Sequence, residues 1–330
     1  MSIYCLDPLN DGRWDDLIAS HPSSSAFHQR GWLKALAQTY GYRPLVLTTS
    51  RPGEKLEDAI VFCEVNSWIT GRRLVSLPFA DHAEPFVISS ERFKEIVGWA
   101  KAQSRQRGWK YIELRPTQCH GDLTNGMEPA QSFWLHTLDL TAPLDQLYRG
   151  LHKDCIQRKI RKAERSTLSY EKGVSAEFLD DFYCLLTMTR RRHRVPPQPR
   201  HWFSNLIACM APNAEIRIAR HNGNAISALF SLRHKETVVY KYACSDERFH
   251  SLGAAPFLIW RLIEESKMAG AQRIDFGRTD PDNEGLTEFK DRLGAARSRL
   301  TYCRYQVRGS ARAAPNAYAS LAKRSFTIMP

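Results

Sequence analysis

Residues 249–277, FHSLGAAPFLIWRLIEESKMAGAQRIDFG, read as a turn, a helix and a short buried strand. The turn closes a β-rich run, ETVVYKYA at 236–243, and sets Gly253, Ala254 and Ala255 just ahead of the helix. Pro256 suits the first helical position, where a missing N–H costs nothing. Small residues at such a place let backbone amides face outward at the positive end of the helix dipole, a ready site for an anion such as pyrophosphate. Gly270 then closes the helix and RIDFG follows as a strand. The plain alternative is an ordinary strand–helix turn built of small residues.

Outward from that segment, the 330-residue chain exceeds the size at which one core usually stops growing, so two domains are expected. Hydrophobic residues at 43% and charged residues at 25% place it with globular proteins rather than disordered ones. The formal charge of +12 favours an anionic partner: nucleic acid, a phosphate-rich cofactor, a nucleotide sugar or an acidic membrane surface. About half of that excess falls between Arg149 and Arg194, and the segment after Tyr302 holds no acidic residue. The eight cysteines form no C-x-x-C pair and no zinc-finger spacing. The adjacent Cys119–His120 is a poor metal site by itself, so no metal is expected. Free thiols, the absence of a signal-peptide pattern at the N-terminus and the absence of a long apolar run give the expectation of a cytoplasmic protein.

The two halves repeat one pattern. The first offers a helix at 28–40 ended by Gly41, strand-like runs at 43–49, 57–65 and 72–79, a helix at about 91–107 stopped by Gly108, and a strand at 109–115. The second offers 215–220, a turn at HNGN (221–224), 225–234 and 237–243, then the helix and strand quoted above. The closing strands correspond, RGWKYIELR against AGAQRIDFG. Between the halves, 133–141 reads as a strand, and CIQRKIRKAERS (155–166) as a basic helix. Further helices fit 175–192 and 200–211, around a rigid bend at VPPQP (195–199).

Four elements, taken in order, resemble the Fem-like acyltransferases of the GNAT superfamily. They are SLPFADHAEPF (76–86), RKIRKAERS (158–166), the strand–turn–helix of the second half, and IDFGRTDPDNEGLTEFKDRLGA (274–295). That group includes peptidoglycan-bridge peptidyltransferases, which use aminoacyl-tRNA, and predicted acetyltransferases of exopolysaccharide loci. The turn is also similar to the acyl-CoA pyrophosphate loop, Gln/Arg-x-x-Gly-x-Gly/Ala, with His250 in the first place, then Gly253 and Ala255. The resemblance implies an α/β (α+β) fold of tandem GNAT-like domains, each a mixed, mostly antiparallel sheet flanked by helices. The expected division is 1–140, 141–306 with a basic helical insertion at its start, and a basic tail at 307–330. It further implies that Lys290 of the F-K pair serves acyl transfer with Phe289 beside the substrate. Asp81 would contact the acceptor, and the basic helix (Arg158, Lys159, Arg161, Lys162) would lie near acceptor phosphates. No sustained heptad run marks a coiled-coil arm of the kind that contacts tRNA in bridge-forming members, which favours acyl-CoA over aminoacyl-tRNA as donor.

Acyl transfer needs a held carrier, a deprotonated acceptor and a stabilised oxyanion. The loop His250, Leu252, Gly253, Ala254 and Ala255 suits the carrier, with His250 either a proton or phosphate contact or a surface turn residue. Lys290 could neutralise an oxyanion or sit on a solvated helix face. Asp275, pointing opposite Ile274 and Phe276, fits a base or a structural hydrogen-bonding group. Arg278 stands at the strand end, where ligands gather. Tyr240 and Tyr242 fall on one strand face by the period-2 rule, and Tyr242 is the candidate leaving-group acid. His82 could orient Asp81. Arg190–Arg194 reads as a solvated helix end rather than a base-stacking surface.

The expected activity is transfer of an acyl group from acyl-CoA to an amine or hydroxyl of a phosphorylated or lipid-linked cell-envelope or exopolysaccharide precursor, with peripheral contact to the inner membrane surface. The alternatives are an aminoacyl-tRNA-dependent peptidyltransferase acting on a peptidoglycan precursor, and a non-catalytic nucleic-acid-binding or adaptor protein.

Overall fold

The computed structural model describes residues 2–67, 71–117, 126–166 and 168–307. The Cys119–His120 pair and the tail from residue 308 lie outside the described residues. In chain order the first half runs β1 (Tyr4–Leu6), α1 (Arg13–Ser20), α2 (Arg30–Tyr40), β2 (Arg43–Thr48), β3 (Ile60–Ser67), β4 (Gly71–Val75), α3 (Ser90–Gln103) and β5 (Tyr111–Leu114). Then follow β6 (Glu128–Asp139), α4 (Leu144–Gly150), a π-helical turn (Lys153–Gln157), α5 (Arg158–Arg165) and β7 (Leu168–Gly173). The remainder is α6 (Ala176–Arg192), α7 (Arg200–Met210), β8 (Ala214–His221), β9 (Asn224–His234), β10 (Thr237–Ser245), a 3-10 helix (Glu247–Leu252), α8 (Ala254–Met268), β11 (Arg273–Thr279), α9 (Glu284–Asp291) and β12 (Ala296–Gln306).

Two compact units result among the described residues, one from 2–133 with 299–307, the other from 134–298. In unit 1 the strands lie in the order β1-β2-β3-β4-β5-β12, with β4 and β5 parallel and the remaining described pairs antiparallel. In unit 2 the order is β6-β11-β10-β9-β8-β7, with β10 and β11 parallel and the rest antiparallel. The topologies match strand for strand, so the duplicated pattern in the sequence is a duplicated fold. The last strand of each sheet departs from sequence order. β12, from the end of the chain, completes unit 1 beside β5, although residues up to 306 were expected in the second domain. β6, from the middle of the chain, completes unit 2 beside β11.

Each parallel pair is joined by one helix, the short route between parallel neighbours. α3 buries Phe93, Ile96, Val97 and Ala100 over Leu45, Ile60, Leu74 and Ile112 of unit 1. α8 buries Phe257, Leu258, Leu262 and Ile263 against Ala219, Leu229, Val238 and Ile274, with Ile160 and Ala163 of α5 in the same cluster. Gly270, in the left-handed region at φ 80°, ends α8. Its N–H reaches Lys267 O and the Ala271 N–H reaches Ser266 O, which satisfies the last carbonyls and turns the chain into β11. The hairpin between β8 and β9 turns on Asn222 and Gly223, both at positive φ, as the HNGN signal requires.

Candidate active site

In unit 2 the parallel pair is short. β10 and β11 register only through Thr237–Arg273, Val238–Ile274 and Val239–Asp275, and beyond these the strands part. Each carries an irregularity just past the parting. β10 has one extra residue between Tyr240 and Tyr242 relative to β9, and β11 is bulged between Asp275 and Arg278 relative to β6. The separation leaves two diverging strand ends, one leading into the N-terminus of α8 and the other holding Lys290.

The α8 end leaves backbone amides open. Gly253 caps the helix at φ 77°, and a Cβ there would overlap the Lys159 carbonyl oxygen of α5. Only glycine permits that approach. Its carbonyl accepts the Phe257 N–H at 3.2 Å, while no described residue takes the amides of Ala254 and Ala255. The helix begins at Ala254, so Pro256 is its third residue rather than its first; the missing N–H is harmless there too, because the opening amides have no intrahelical acceptor. His250 precedes the cap in the 3-10 helix, with Nε2 2.9 Å from Ser245 Oγ. Ser245 is tied to the end of α6: its N–H donates to Thr189 Oγ1 at 3.0 Å and its carbonyl accepts from Arg192 Nη1 at 3.4 Å. Arg192 thereby stands beside this turn instead of on a remote solvated helix end. Partial burial, followed by the Arg192 charge, pushes the His250 imidazole below its ordinary value.

The β11 end turns on Gly277, at φ 70°. The Asp275 carboxylate accepts the Gly277 N–H at 2.7 Å. The Lys290 ammonium donates to the Gly277 carbonyl at 3.0 Å and to the Arg278 carbonyl at 3.3 Å. One bulge residue is thus held at both ends by charged side chains. Lys290 is 4% exposed, so it is no solvated helix-face lysine. Asp275, equally buried, clamps the bulge through a backbone amide, the structural hydrogen-bonding role expected beside that of a base.

Tyr240 and Tyr242 do not share a face. The extra residue in β10 breaks the alternation, since Tyr240 opposes Ser231 and Tyr242 opposes Phe230. Tyr242 turns toward α6 and α7, where its hydroxyl accepts from Trp202 Nε1 at 3.0 Å and its ring packs on Phe203 and Phe230. That enclosure removes it as a leaving-group acid. Tyr240 faces the α8 side, half-buried, with its ring edge-on to Phe276 across the parting strands at 5.5 Å. Burial pushes its phenol pKa up, so it stays protonated at neutral pH. No described residue hydrogen-bonds its hydroxyl.

Of the other expected residues, Phe289 packs half-buried on the α8-side core and Arg278 is half-buried at the bulge. Arg158, Arg161, Lys162 and Arg165 line a surface hollow of about 370 Å³ with Ser166. Among the described residues none of these four cations meets a carboxylate at ion-pair distance. Asp81 and His82 belong to unit 1. There the Asp81 carbonyl accepts the Tyr302 hydroxyl at 2.6 Å, and the His82 ring stands edge-on to Phe27. The loop before them is strained, with Leu77 at φ 50° and Phe79 at φ 62°. Arg115 holds it by donating to the carbonyls of Leu77 and Ala80 at 3.0 and 2.9 Å. In unit 1 the helix joining the parallel pair is capped by its own residues: Ser89 accepts the Arg92 N–H. The open helix end is therefore a feature of unit 2.

Two residues of this site escaped the sequence reading. Arg192 lay in a cationic run with no local signal of contact. His136 lies on β6 between the register pairs Leu135–Arg278 and Thr137–Asp275, opposite the bulge that Lys290 grips. It is fully buried, and neither ring nitrogen has a well-formed hydrogen bond. Asp291 Oδ1 is 3.4 Å from Nε2, close enough for attraction but poorly directed for bonding. Burial first, then the Lys290 charge, lowers its basicity. A histidine at an inward position of the alternating run FWLHTLDLT was the available signal.

Residues 152–291 match the model of an acetyltransferase (GNAT) domain. No curated protein matches the sequence. Solved structures of similar fold include that of FemX, at 14% identity and a TM-score of 0.72 over 93% of this chain and 98% of that one. A tandem GNAT protein from the clavulanic acid biosynthesis pathway aligns at 11% identity and a TM-score of 0.59, over 92% and 98%. The C-terminal domain of a putative lysylphosphatidylglycerol synthetase from Agrobacterium fabrum aligns at 15% and 0.56, over 95% of both chains. At these identities the likeness is one of fold, the tandem GNAT arrangement. The matched domain makes acyltransferase the class of this enzyme. No helix among the described residues is long and apolar enough to cross a membrane.

Proposed function

We propose that this acyltransferase is of the Fem-like kind and moves an acyl group from acyl-CoA to an amine or hydroxyl of a phosphorylated cell-envelope or exopolysaccharide precursor. The observation that carries the donor assignment is the start of α8. Gly253 is pressed against the Lys159 carbonyl, two amides beyond it are unspent, and His250 and Arg192 stand alongside. Amides at a helix N-terminus with an adjacent guanidinium suit a pyrophosphate. The parting of β10 from β11 gives the acyl arm a route away from those phosphates, toward Tyr240 on one strand and the Lys290-clasped bulge on the other.

In this reading the donor carbonyl lies by the β11 bulge. The acceptor nitrogen or oxygen attacks it, the carbonyl oxygen gains charge, and the Lys290 ammonium, fixed in place by two backbone carbonyls, stabilises that charge without reorganising. The tetrahedral species collapses by breaking the C–S bond, the departing thiolate takes its proton from the Tyr240 hydroxyl, and the proton given up by the acceptor passes to solvent, from which the phenolate is reprotonated. The acceptor's phosphates are drawn to the Arg158–Arg165 hollow.

A test mixes the protein with labelled acetyl-CoA and nucleotide-linked or lipid-linked sugars and follows CoA release, with acetyl-CoA binding measured by calorimetry. Binding and acceptor-dependent release are expected; absence of both refutes the donor. The second reading, aminoacyl-tRNA as donor, is favoured by one observation, the unpaired cationic hollow on α5, which would suit an RNA backbone equally. Transfer abolished by ribonuclease selects that reading.

A further inference from the structure

His136 has no role in the chemistry set out above, yet a fully buried imidazole with both nitrogens poorly partnered is a costly thing to keep. Its surroundings are specific. α9 brings Lys290 and Asp291 to it, the start of β12 brings Arg297, which lies 3.7 Å from Asp291, and β11 brings the bulge with Arg278. A neutral imidazole carries one N–H and one lone pair. The Asp291 carboxylate beside Nε2 favours the N–H there and leaves Nδ1 bare. A second proton would place a buried cation near buried Lys290, where like charges repel.

We propose that His136 is a positioning residue for Lys290: kept uncharged, it leaves the ammonium free to clasp the Gly277 and Arg278 carbonyls, and when protonated it loosens that clasp and shuts the transferase off in acid. The inference rests on the reading of Lys290 as the transfer-site cation. Sequence position supports the geometry, since His136 is the β6 residue directly across from the bulge.

The test uses the full chain labelled with 15N histidine and lysine, with the His136 signal identified by its loss in His136→Gln. The imidazole is expected to titrate below the ordinary value of about 6.5. Asp291→Asn should move the midpoint lower still, and Arg297→Gln and Lys290→Met should move it higher. A midpoint at or above the ordinary value, or one unmoved by Lys290→Met, overturns the proposal. If Lys290→Met does not fold, the wild-type Lys290 Nζ signal decides: it should step at the His136 midpoint, and no step is a refutation. In the acetyl-CoA transfer assay the wild-type rate should fall about tenfold per pH unit below that midpoint, and His136→Gln should remove this limb while a purely structural role would leave the profile's shape unchanged. The titrations need no substrate, so absence of CoA release with the coupled midpoints intact condemns the donor reading and not the pairing.

Discussion

Lys290 Nζ and the carbonyl oxygen of Gly277, 13 residues apart in sequence, meet at 3.0 Å in a buried setting. The contact makes a strand bulge and a helix-borne cation into one rigid piece, and it sets the terms on which the site can be tested.

Replacing that cation should damage chemistry more than binding. Lys290→Met is expected to lower kcat about 100- to 1000-fold, the range for removing one oxyanion-stabilising group, with acetyl-CoA affinity within a few fold of wild type. The loss of the clasp should also cost about 1 kcal/mol of stability. Calorimetric binding and single-turnover kinetics on the same sample separate the two effects.

The two tyrosines of β10 should behave oppositely. Tyr240→Phe is expected to slow transfer about 100-fold or more with little change in stability, as for loss of a general acid. Tyr242→Phe breaks the hydrogen bond from the Trp202 indole and should cost about 1 kcal/mol in chemical denaturation, with turnover unaffected. Equal kinetic effects would contradict the assignment of faces.

A methyl group at residue 253 should close the donor site. Gly253→Ala meets the Lys159 carbonyl oxygen and a positive φ together, so a loss of about 1–3 kcal/mol and failure to bind acetyl-CoA are expected. Thermal unfolding and calorimetry check this. Gly223→Ala, at a hairpin turn with open space around it, is the control that carries the φ penalty without the collision.

Unit 1 should show an acid-sensitive core. Burial raises the Glu113 carboxyl, but Arg115 at 2.9 Å and Arg304 at 2.6 Å outweigh it and hold the pKa below the ordinary carboxylate value. A depressed acid contributes stability that is complete above its unfolded value, about 4.3, and is lost as the pH falls through the folded value. Glu113→Gln should therefore cost about 3–5 kcal/mol at neutral pH and flatten the decline in stability below about pH 4. Denaturant titrations at several pH values provide the measurement. Because Arg115 also carries the loop at Leu77–Ala80, the variant should loosen the segment leading to Asp81, visible as faster amide exchange there.

Local chemistry made much of unit 2 legible in advance. Gly253, Gly270 and the small residues after the turn report a helix start and stop whatever surrounds them, because positive φ and missing side chains are properties of single residues. The strand–hairpin–strand–helix–strand repeat was visible for the same reason. The face of Tyr242 was not, because a bulge is a relation between two strands: only the count of residues on β9 reveals that β10 holds one too many. Asp275 was read correctly as opposed to Ile274, but its partner, the Gly277 amide, depends on the β11 bulge.

By itself, then, the sequence determined the periodic elements, their duplication, the glycine-hinged entry to α8 and the abundance of positive charge, all of which follow from intrinsic backbone preference and composition. Tertiary structure alone decided that β6 and β12 complete sheets far from their neighbours in the chain, that Arg192 reaches the α8 turn, and that His136, Lys290 and Asp291 converge on one bulge. Those outcomes depend on burial and pairing between distant segments, and no local pattern encodes which charge will be taken out of water beside which other.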